Sequence, residues 1–524
     1  MKRRDFVAGS LVSAALMHKA IAEETATSTN PKIPLVEKAA THNFEQVAVL
    51  AKELSKSDYK EDKLKMAGPF IDLSYDRYRG IRFKRSADPL LQGGNGFGMD
   101  LLPPGRYYQD RVRIFIVNSD GKSEEILFTP EVFDFDPKLF VHDNLQLNDI
   151  DKAGLSWSGF RLRFPINNED IGDEFAVFQG ASYFRAVARD TLYGLSARGL
   201  AIKTANPEGE EFPRFSQFWV YRPALGARSI KVDALLESKS ITGAYRFEII
   251  PGADTVFIIK CVLFPRRDIV SYGIAPLTSM YYFSPTRRKN IDDYRNAVHD
   301  SNGLAMFTGT GARLWRPLSN PTILQFSAFL DNHPKGFGLL QRARTFVDFE
   351  DAEARYEKRP SAWVEPLGDW GKGNVSLIEI PTDSEFNDNI ITFWNGAEPL
   401  KTGQKYEYNY DLIWSQQGAI FSTRAKIIST RIGKSVNDPK AYTVSIDYTF
   451  PNGKTIEPNK LTFTATASKG EIPSSHIFLL PNSNILRASF EYRADKGQAA
   501  ELQAGLSENS EPVAETWMYR WTAE

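Results

Sequence analysis

Short segments typical of β-strands recur along most of this chain and restrict its fold more than any other feature. RVRIFIV, TVFIIKCVLF, GLSARGLAIKT and RFEII are rich in β-branched and aromatic residues and are bounded by turn-forming residues. NFEQVAVLAKELSK differs, because its apolar residues follow a 3.6-residue period, which predicts a helix with Asn43 as N-cap. The sequence therefore predicts an all-β fold, a sandwich or a barrel, with one early helix.

A change of composition after Trp394 divides the chain. NGAEPLKTGQ carries Gly, Pro and polar residues, and KYEYNYDLIW then alternates from Tyr406 to Trp414. Beyond it, AYTVSIDYTF, KLTFTATAS, ILRASFEYRA and AELQAGL recur at the intervals expected of an immunoglobulin-like sandwich. We expect a large N-terminal β-sandwich domain over residues 23–396 and an immunoglobulin-like β-sandwich domain over residues 402–524.

The first residues have the features of an export signal. Arg3 and Arg4 precede a short apolar stretch, and the small-x-small sequence AIA ends at Ala22. The apolar stretch is too short to span a bilayer, which takes roughly 20 apolar residues. We expect a twin-arginine signal peptide over residues 1–22 and a mature protein located in the periplasm.

Charge and motifs exclude several function classes. The formal net charge is -1, from 64 basic and 65 acidic residues, which disfavours nucleic acid as a partner. Cys261 is the only cysteine, and the six histidines lack the spacing of a zinc site, so no disulfide, metal or cofactor is expected. GxSxG, P-loop, CxxC and dinucleotide motifs are absent. The remaining carboxylates, arginines and aromatic residues are typical of carbohydrate sites.

Four stretches combine these residue types. IEIPTDSEFNDNIITFW places four carboxylates between two apolar runs, directly before an aromatic pair: Glu379, Asp383, Glu385, Asp388, Phe393 and Trp394. The other three stretches hold Tyr183, Phe184, Tyr193 and Arg198; His299 and Asp300; and Tyr356, Arg359 and Trp363. Each stretch also has a purely structural interpretation, such as an arginine paired with an acid or a capped turn. Composition alone leaves the choice open.

The order of several longer motifs is more specific. GASYFRAV, YGLSARGLAI, GEEFPRFSQFW, HDSNGL, WRPLSNP, RPSAWVEP and NDNI resemble the osmoregulated periplasmic glucan biosynthesis proteins of types G and D, over nearly the whole mature chain. The resemblance implies a galactose-mutarotase-like β-sandwich joined to an immunoglobulin-like domain. It also implies action on the β-1,2-linked glucan backbone, because D-type members resemble inverting endo-β-1,2-glucanases.

The resemblance also assigns roles to residues. It implies Asp388 as general acid, Asp300 as general base working through water, and Tyr356 in the same cleft. Inversion needs one carboxylic acid for the leaving oxygen and one carboxylate for the attacking water. Burial beside Phe393 and Trp394 would favour the protonated form of Asp388. Contacts to the sugar are expected from Tyr183, Phe184, Arg198, His299, Arg359, Trp363 and Trp394.

The leading hypothesis is therefore a periplasmic glycoside hydrolase, an inverting endo-β-1,2-glucanase of glucan biosynthesis. A non-catalytic glucan-binding assembly factor and a branching glucosyl transferase remain alternatives. The expected partners are β-1,2-glucan and a membrane-bound glucan synthase, with a homodimer left open. The mixed-charge segment DFEDAEARYEKRP is expected to be a solvated turn of helix.

Overall fold

Strands dominate the structure, which confirms the all-β fold class. In the part of the chain that the structure describes, no helix is long and apolar enough to cross a membrane. The signal peptide expected at residues 1–22 lies outside the described residues. The computed structural model describes residues 33–90, 96–140, 154–288, 291–417, 424–451, 457–494, 497 and 499–522.

The described residues form two α-helices and a long series of strands. The helices are α1 (Phe44–Leu54) and α2 (Tyr75–Arg79). The first fifteen strands are β1 Leu35–Thr41, β2 Ile81–Phe83, β3 Gly98–Leu102, β4 Arg113–Val117, β5 Lys122–Ile126, β6 Phe133–Phe135, β7 Gly159–Asn168, β8 Ile171–Gln179, β9 Tyr183–Ala186, β10 Ser196–Arg198, β11 Leu200–Ile202, β12 Arg214–Tyr221, β13 Ile230–Glu237, β14 Ile241–Ile250 and β15 Thr255–Pro265.

The later strands follow in the same chain order. They are β16 Tyr272–Ser279, β17 Tyr281–Phe283, β18 Val298–His299, β19 Gly303–Phe307, β20 Arg313–Pro317, β21 Gln325–Asn332, β22 Gly336–Leu340, β23 Ser361–Leu367, β24 Lys372–Glu379, β25 Ile390–Gly396, β26 Tyr406–Ser415, β27 Lys426–Lys434, β28 Ala441–Thr449, β29 Leu461–Ala467, β30 Ser475–Leu479, β31 Ile485–Arg493, β32 Ala500–Glu508, β33 Glu511–Pro512 and β34 Thr516–Trp521.

The described residues divide into two compact units. The first unit contains the described residues up to Pro276 together with Pro366–Gly368 and Phe393–Ser415. The second unit contains the described residues of Leu277–Glu365, Asp369–Thr392 and Gln416–Glu524. This division differs from the limits at 396 and 402 expected from the sequence. Those limits stay a prediction about independently folding domains, because a division by packing does not report on independent folding.

The first unit is built on an eight-strand run in the order β1-β5-β4-β12-β13-β14-β15-β26, in which only β4 and β12 are parallel. Helix α1 packs its apolar face on this sheet through Phe44, Val47 and Ala51, as the 3.6-residue period predicts. Asn43 caps the helix in a capping box with Gln46, which confirms the predicted start. A second group of strands runs β3-β7-β8-β9-β10.

Strand β26 shows how the packing departs from the expected limits. The sequence places this strand in the C-terminal domain, yet it pairs with β15 from Thr255 opposite Trp414 to Leu263 opposite Tyr406. Cys261 lies in the middle of β15 and is buried, as its apolar neighbours predict. Burial raises the pKa of the Cys261 thiol to about 12.

The second unit contains several smaller runs of strands. One run has the order β23-β22-β19-β20-β34-β32-β29, and another has the order β27-β28-β31-β30. Strand β21 pairs with β24, and β17 pairs with β18. The strands predicted from AYTVSIDYTF, KLTFTATAS, ILRASFEYRA and AELQAGL are present as β28, β29, β31 and β32. The connections after β18 and after β24 carry the two candidate catalytic aspartates.

Candidate active site

Asp300 follows strand β18 directly and is fully buried. The pairing of β17 with β18 places Tyr281 opposite His299. The backbone N–H of Asp300 then donates to the carbonyl of Met280, at 2.9 Å. The end of β18 is therefore fixed against the residue that precedes β17.

Asp388 lies in the loop between β24 and β25, and its neighbour Asn389 anchors that loop. The Asn389 side chain accepts a hydrogen bond from the backbone N–H of Tyr281 at 2.8 Å, and it donates to the carbonyls of Tyr281 at 2.9 Å and Ile380 at 3.0 Å. A buried amide that bonds backbone groups on two segments holds both in register. Asp388 is thus tied to the same short segment, residues 280 and 281, that holds Asp300.

Tyr356 and Arg359 approach Asp300 from a third segment. Tyr356 begins a 3₁₀ turn, which follows Arg355 in the left-handed region at φ 51°. The Nε of Arg359 lies 3.4 Å from Oδ1 of Asp300, and both side chains are nearly inaccessible to solvent. The Tyr356 hydroxyl donates to Oε2 of Glu385 at 3.1 Å. This hydrogen bond joins the tyrosine to the loop that carries Asp388.

Burial and the neighbouring negative charges keep the Tyr356 hydroxyl protonated. Burial raises the pKa of Tyr356, and the negative charges of Asp300 and Glu385 raise it further, with only partial opposition from Arg359. A neutral phenol can donate one hydrogen bond and accept another. Tyr356 therefore has the chemical state that a proton relay needs.

Arg295 holds Glu385 in place. Its Nη1 donates to Oε2 of Glu385 and to Oδ2 of Asp351, each at 2.8 Å, and its Nε and Nη2 both donate to Asp293. The hydrogen bond to Asp293 is the main cause that raises the pKa of Arg295, so the cation is permanent. One guanidinium thus links three segments behind Tyr356.

The mixed-charge segment around Asp351 is not a solvated turn of helix, and that prediction was wrong. Asp351 and Glu357 are both buried, and a short 3₁₀ turn replaces the expected helix. Arg295 bonds Asp351, and Arg355 bonds Glu357 at 2.6 Å. Buried carboxylates of this kind are retained because each has a cationic partner.

The four carboxylates of IEIPTDSEFNDNI are separated in the structure. Glu379 is buried at the end of β24, where it bonds Arg316 at 2.9 Å and the backbone and hydroxyl of Ser319. Asp383 is exposed, whereas Asp388 is only partly exposed. Glu379 therefore has a structural role, and the candidate acid does not belong to a single cluster of four.

The aromatic pair that follows these carboxylates is also buried. Phe393 and Trp394 lie in β25 and belong to the first unit, and Trp394 is 0% exposed. The ring of Phe393 fills the space that a side chain at Gly273 would need. A ring with no exposed surface cannot stack on a sugar, so Trp394 lies outside the proposed site.

The first unit holds three more of the expected sugar contacts. Arg198 lies over the ring of Tyr183 at 4.6 Å and bonds Glu210 at 2.8 Å. Phe184 is buried against Phe178, with the two ring centroids 5.4 Å apart. Arg198 and Phe184 therefore have structural partners. Tyr183 is half-buried and lines an open pocket of the first unit.

His299 is a buried neutral histidine beside Asp300. Its ring stacks on Tyr281, with centroids 5.4 Å apart, and meets Phe349 edge-on. Burial lowers the pKa of His299 to about 4. Gln341 donates to the carbonyls of both His299 and Tyr356, at 3.0 and 3.2 Å. His299 therefore packs the site from behind.

Trp363 has a packing role as well. It is 2% exposed, and its ring N–H donates to Glu365 at 3.1 Å. A Cβ at Gly336 would lie 2.3 Å from the Trp363 ring, so the absence of a side chain there leaves room for the indole. Of the residues expected at the site, the structure brings together Asp300, Asp388, Tyr356, Arg359 and His299.

The sequence analysis missed Arg295 and Gln341, and it named Glu385 only as one of four carboxylates in a single stretch. Arg295 stands five residues before Asp300 in DDYRNAVHD, but its acidic partners Asp351 and Glu385 are distant in the chain. Across the described residues, no group of three or more His, Cys, Asp or Glu side chains is arranged to hold a metal ion.

Comparisons with known proteins agree with one another. A family model described as periplasmic glucan biosynthesis protein, MdoG, matches residues 42–521. Glucans biosynthesis protein G of Vibrio cholerae serotype O1 is 42% identical over 489 residues, which cover 93% of this chain and 88% of the relative. The protein of that name from Shewanella frigidimarina is 41% identical over 491 residues, covering 92% and 86%. Glucans biosynthesis protein G 1 of Shewanella oneidensis is 40% identical over 503 residues, covering 95% and 90%.

Proposed function

Because the chain belongs to the MdoG family of periplasmic glucan biosynthesis proteins, we propose that it acts in the periplasm as an inverting endo-β-1,2-glucanase. Its substrate is the β-1,2-linked glucan backbone, and its role is to trim or release that backbone during glucan biosynthesis. Asp388 is the general acid and Asp300 the general base. A membrane-bound glucan synthase supplies the chain that is cut.

The observation that carries this proposal is that hydrogen bonds hold the two segments that bear the aspartates to residues 280 and 281. Asp300 is buried beside Arg359, and the Tyr356 hydroxyl bonds Glu385 in the loop of Asp388. Asn389 and the backbone of Asp300 hold both acids to the same two residues. Two carboxylates from distant parts of the chain, fixed on one short segment, suit a reaction that needs one acid and one base.

In the proposed reaction Asp388 protonates the glycosidic oxygen as the bond to the anomeric carbon breaks. Water attacks that carbon from the opposite face, and its proton must leave as the new bond forms. Asp388 is partly exposed, which suits direct contact with the leaving oxygen. The configuration at the anomeric carbon is thereby inverted, so a β-linkage gives a reducing end in the α-configuration.

Asp300 receives the proton from water through Tyr356, since its own side chain has no exposed surface. In this relay the Tyr356 hydroxyl turns from Glu385 to Asp300, gives it a proton and takes one from the water or from a sugar hydroxyl bound to it. The raised pKa of Tyr356 ensures that the hydroxyl still carries its proton before the reaction. The positive charge of Arg359, 3.4 Å from Asp300, favours the carboxylate that accepts the proton in this mechanism.

The test is incubation of the purified mature protein with linear β-1,2-glucan. We expect shorter oligosaccharides by chromatography, and NMR of the first products should show the α-anomer. Asp388→Asn should lower kcat by at least about 1,000-fold, within the range for loss of a general acid, with glucan binding retained in calorimetry.

Asp383→Asn is the matched control, because this exposed neighbour lies in the same loop. It should keep most of the activity. An Asp388→Asn variant that cuts glucan within about tenfold of the wild type, a loss of about 1.4 kcal/mol, would remove the general-acid role. Binding of glucan without any cleavage by the wild type would favour the assembly-factor alternative instead.

A further inference from the structure

Strand β21 carries an exposed apolar row in the second unit. Its sequence QFSAFLDN alternates between covered and exposed side chains, and Phe326 and Leu330 on its open face are 52% and 85% exposed. Ile323 and Leu324, just before the strand, are 67% and 48% exposed. Contiguous apolar surface of this kind marks an interaction site more often than scattered single residues do.

The backbone of β21 is open along one side. The strand pairs with β24 over its whole length, from Gln325 to Asn332, and no other described strand pairs with it. The carbonyl of Phe326 accepts from Nη1 of Arg520 at 3.2 Å, so this carbonyl points away from β24. Because strand geometry repeats every second residue, the N–H and C=O groups of Ala328 and Leu330 point the same way.

Nothing within β21 protects this edge. Proteins usually shield an edge strand with a lysine, a proline or a bulge, since an open apolar edge pairs with other strands. QFSAFLDN has none of these, and its single charged residue, Asp331, stands near its end. Arg520 contacts this edge at Phe326 and Gly309 contacts the strand at Asp331, so the open stretch lies between these two ends. An apolar face beside such an open stretch indicates a surface that a partner covers.

We propose that β21 pairs antiparallel with β21 of a second copy of this chain, centred on Ala328. In that register Ala328 faces its own counterpart, and Phe326 lies opposite Leu330 of the second copy. Aromatic and aliphatic side chains directly opposite each other are a favourable cross-strand pair. The apolar rows of the two copies then form one continuous surface.

Charge favours a second copy in this antiparallel register. Arg520 lies beside Phe326 at one end of the open edge, and Asp331 lies at the other end. The nearest acidic atom paired with Arg520, an oxygen of Glu501, is 3.9 Å away. Antiparallel self-pairing brings the arginine end of one copy to the aspartate end of the other. Asp331 lies opposite Gln325, so no like charges face each other. A parallel arrangement would place Asp331 beside its counterpart.

The size of the patch sets the expected affinity. Four apolar side chains that each cover on the order of 100 Å² give roughly 400 Å² per copy. The total area buried by two copies, including the paired backbone, is therefore slightly below about 1,200 Å². Specific interfaces of this smaller size are often weak. We expect a dimer that dissociates at micromolar concentration. This inference does not depend on the proposed hydrolase activity.

Cysteine cross-linking tests the register directly. Residues directly opposite in an antiparallel pair have Cα atoms about 5.5 Å apart, within the range of a disulfide. An Ala328→Cys variant should therefore form a linked dimer when diamide takes up the two thiol hydrogens. In a Leu330→Cys variant the two thiols would stand roughly 14 Å apart, too far for a bond. The native Cys261 is buried and provides no background.

Linked dimer from Ala328→Cys and not from Leu330→Cys supports the proposal. Equal linking of both variants, or of neither, overturns it. Independently, Leu330→Lys should raise the dimer dissociation constant at least tenfold in sedimentation experiments. Val436→Lys, at another exposed apolar residue of the second unit, is the matched control and should leave it unchanged. A wild type that stays monomeric up to high micromolar concentration, or a dimer insensitive to Leu330→Lys, also contradicts it.

Discussion

Each unit buries an aspartate beside an arginine and a tyrosine, but the two clusters differ in how tightly the aspartate is held. In the first unit Arg246 bonds Asp233 twice, at 2.7 and 2.8 Å, and Tyr221 and His42 add bonds at 2.8 and 3.0 Å. In the second unit Arg359 stands 3.4 Å from Asp300. The tyrosine there directs its hydroxyl to a different carboxylate.

The difference fits a structural role for Asp233 and the proposed role of Asp300 as a base. Although burial opposes it, the hydrogen bonds from His42 and Arg246 lower the pKa of Asp233, so this group stays charged and fully engaged. A base must instead accept a proton during the reaction, which requires a looser partner and a route for the proton. In the proposed mechanism Arg359 is that partner of Asp300 and Tyr356 provides the route. Similar residue types therefore serve rigidity in the first unit and, in the proposed mechanism, proton transfer in the second.

The most direct way to break this comparison is the same substitution at both aspartates. Asp300→Asn should lower kcat on β-1,2-glucan by at least about 1,000-fold, because the base is lost, with a smaller loss of stability. Asp233→Asn should lower the free energy of unfolding by about 1.5 to 3 kcal/mol, because the charge-assisted hydrogen bonds to Arg246 are lost. The folded fraction of Asp233→Asn should keep its kcat. Glucan assays and urea unfolding measure the two effects, and the reverse pattern would contradict the assignment.

The buried histidine beside Asp300 predicts a dependence of stability on pH. Folded His299 has a pKa of about 4, whereas an unfolded histidine titrates near 6.5. Between these values the unfolded chain binds a proton that the folded chain does not. The contribution of neutral His299 to the free energy of unfolding is therefore fully present above about pH 6.5. It falls by up to about 3 kcal/mol as the pH drops to about 4. Urea titrations across this range should show a shallower slope in His299→Gln. An identical slope would exclude His299 as the cause.

The two tyrosines sharpen the comparison with a smaller effect. Tyr356→Phe removes the relay hydroxyl and should lower kcat by about 100-fold with little change in KM. Tyr221→Phe removes a hydrogen bond to Asp233 and should cost about 1.5 kcal/mol of stability while activity stays the same. Steady-state kinetics and unfolding curves of both variants give the answer. Equal activities in the two variants would mean that Tyr356 transfers no proton in the reaction.

Much of the fold could be predicted because its signals are local. Helix α1 begins at Asn43, whose partner Gln46 is three residues away, and the alternation in β26 lies within ten residues. Cys261 is buried because its immediate neighbours in β15 are apolar. Patterns of this range depend only on the residues that they contain. The division into units depends instead on which strands pair, and the pairing of β15 with β26 leaves no such local signal.

The candidate site shows the same limit. The proposed roles of Asp300 and Asp388 rest on the resemblance, and the structure adds the partners that local sequence does not reveal. Arg295 and Glu385 are 90 residues apart, and Arg316 and Glu379 are 63 apart. Without these partners, charged segments look solvated, which explains the wrong prediction for the segment around Asp351. Burial of a charge depends on a distant cation, and one sequence does not show which cation that is.

Strand β26 also has a consequence for the order of events during protein synthesis. Between Pro265 at the end of β15 and Tyr406 at the start of β26 lie 140 residues. At typical translation rates, the ribosome needs roughly 10 s to produce them. Throughout that interval the apolar strand TVFIIKCVLF lacks β26, its neighbour on one side. A chaperone that recognises extended apolar segments would find its binding site there, and release would coincide with the emergence of KYEYNYDLIW from the exit tunnel.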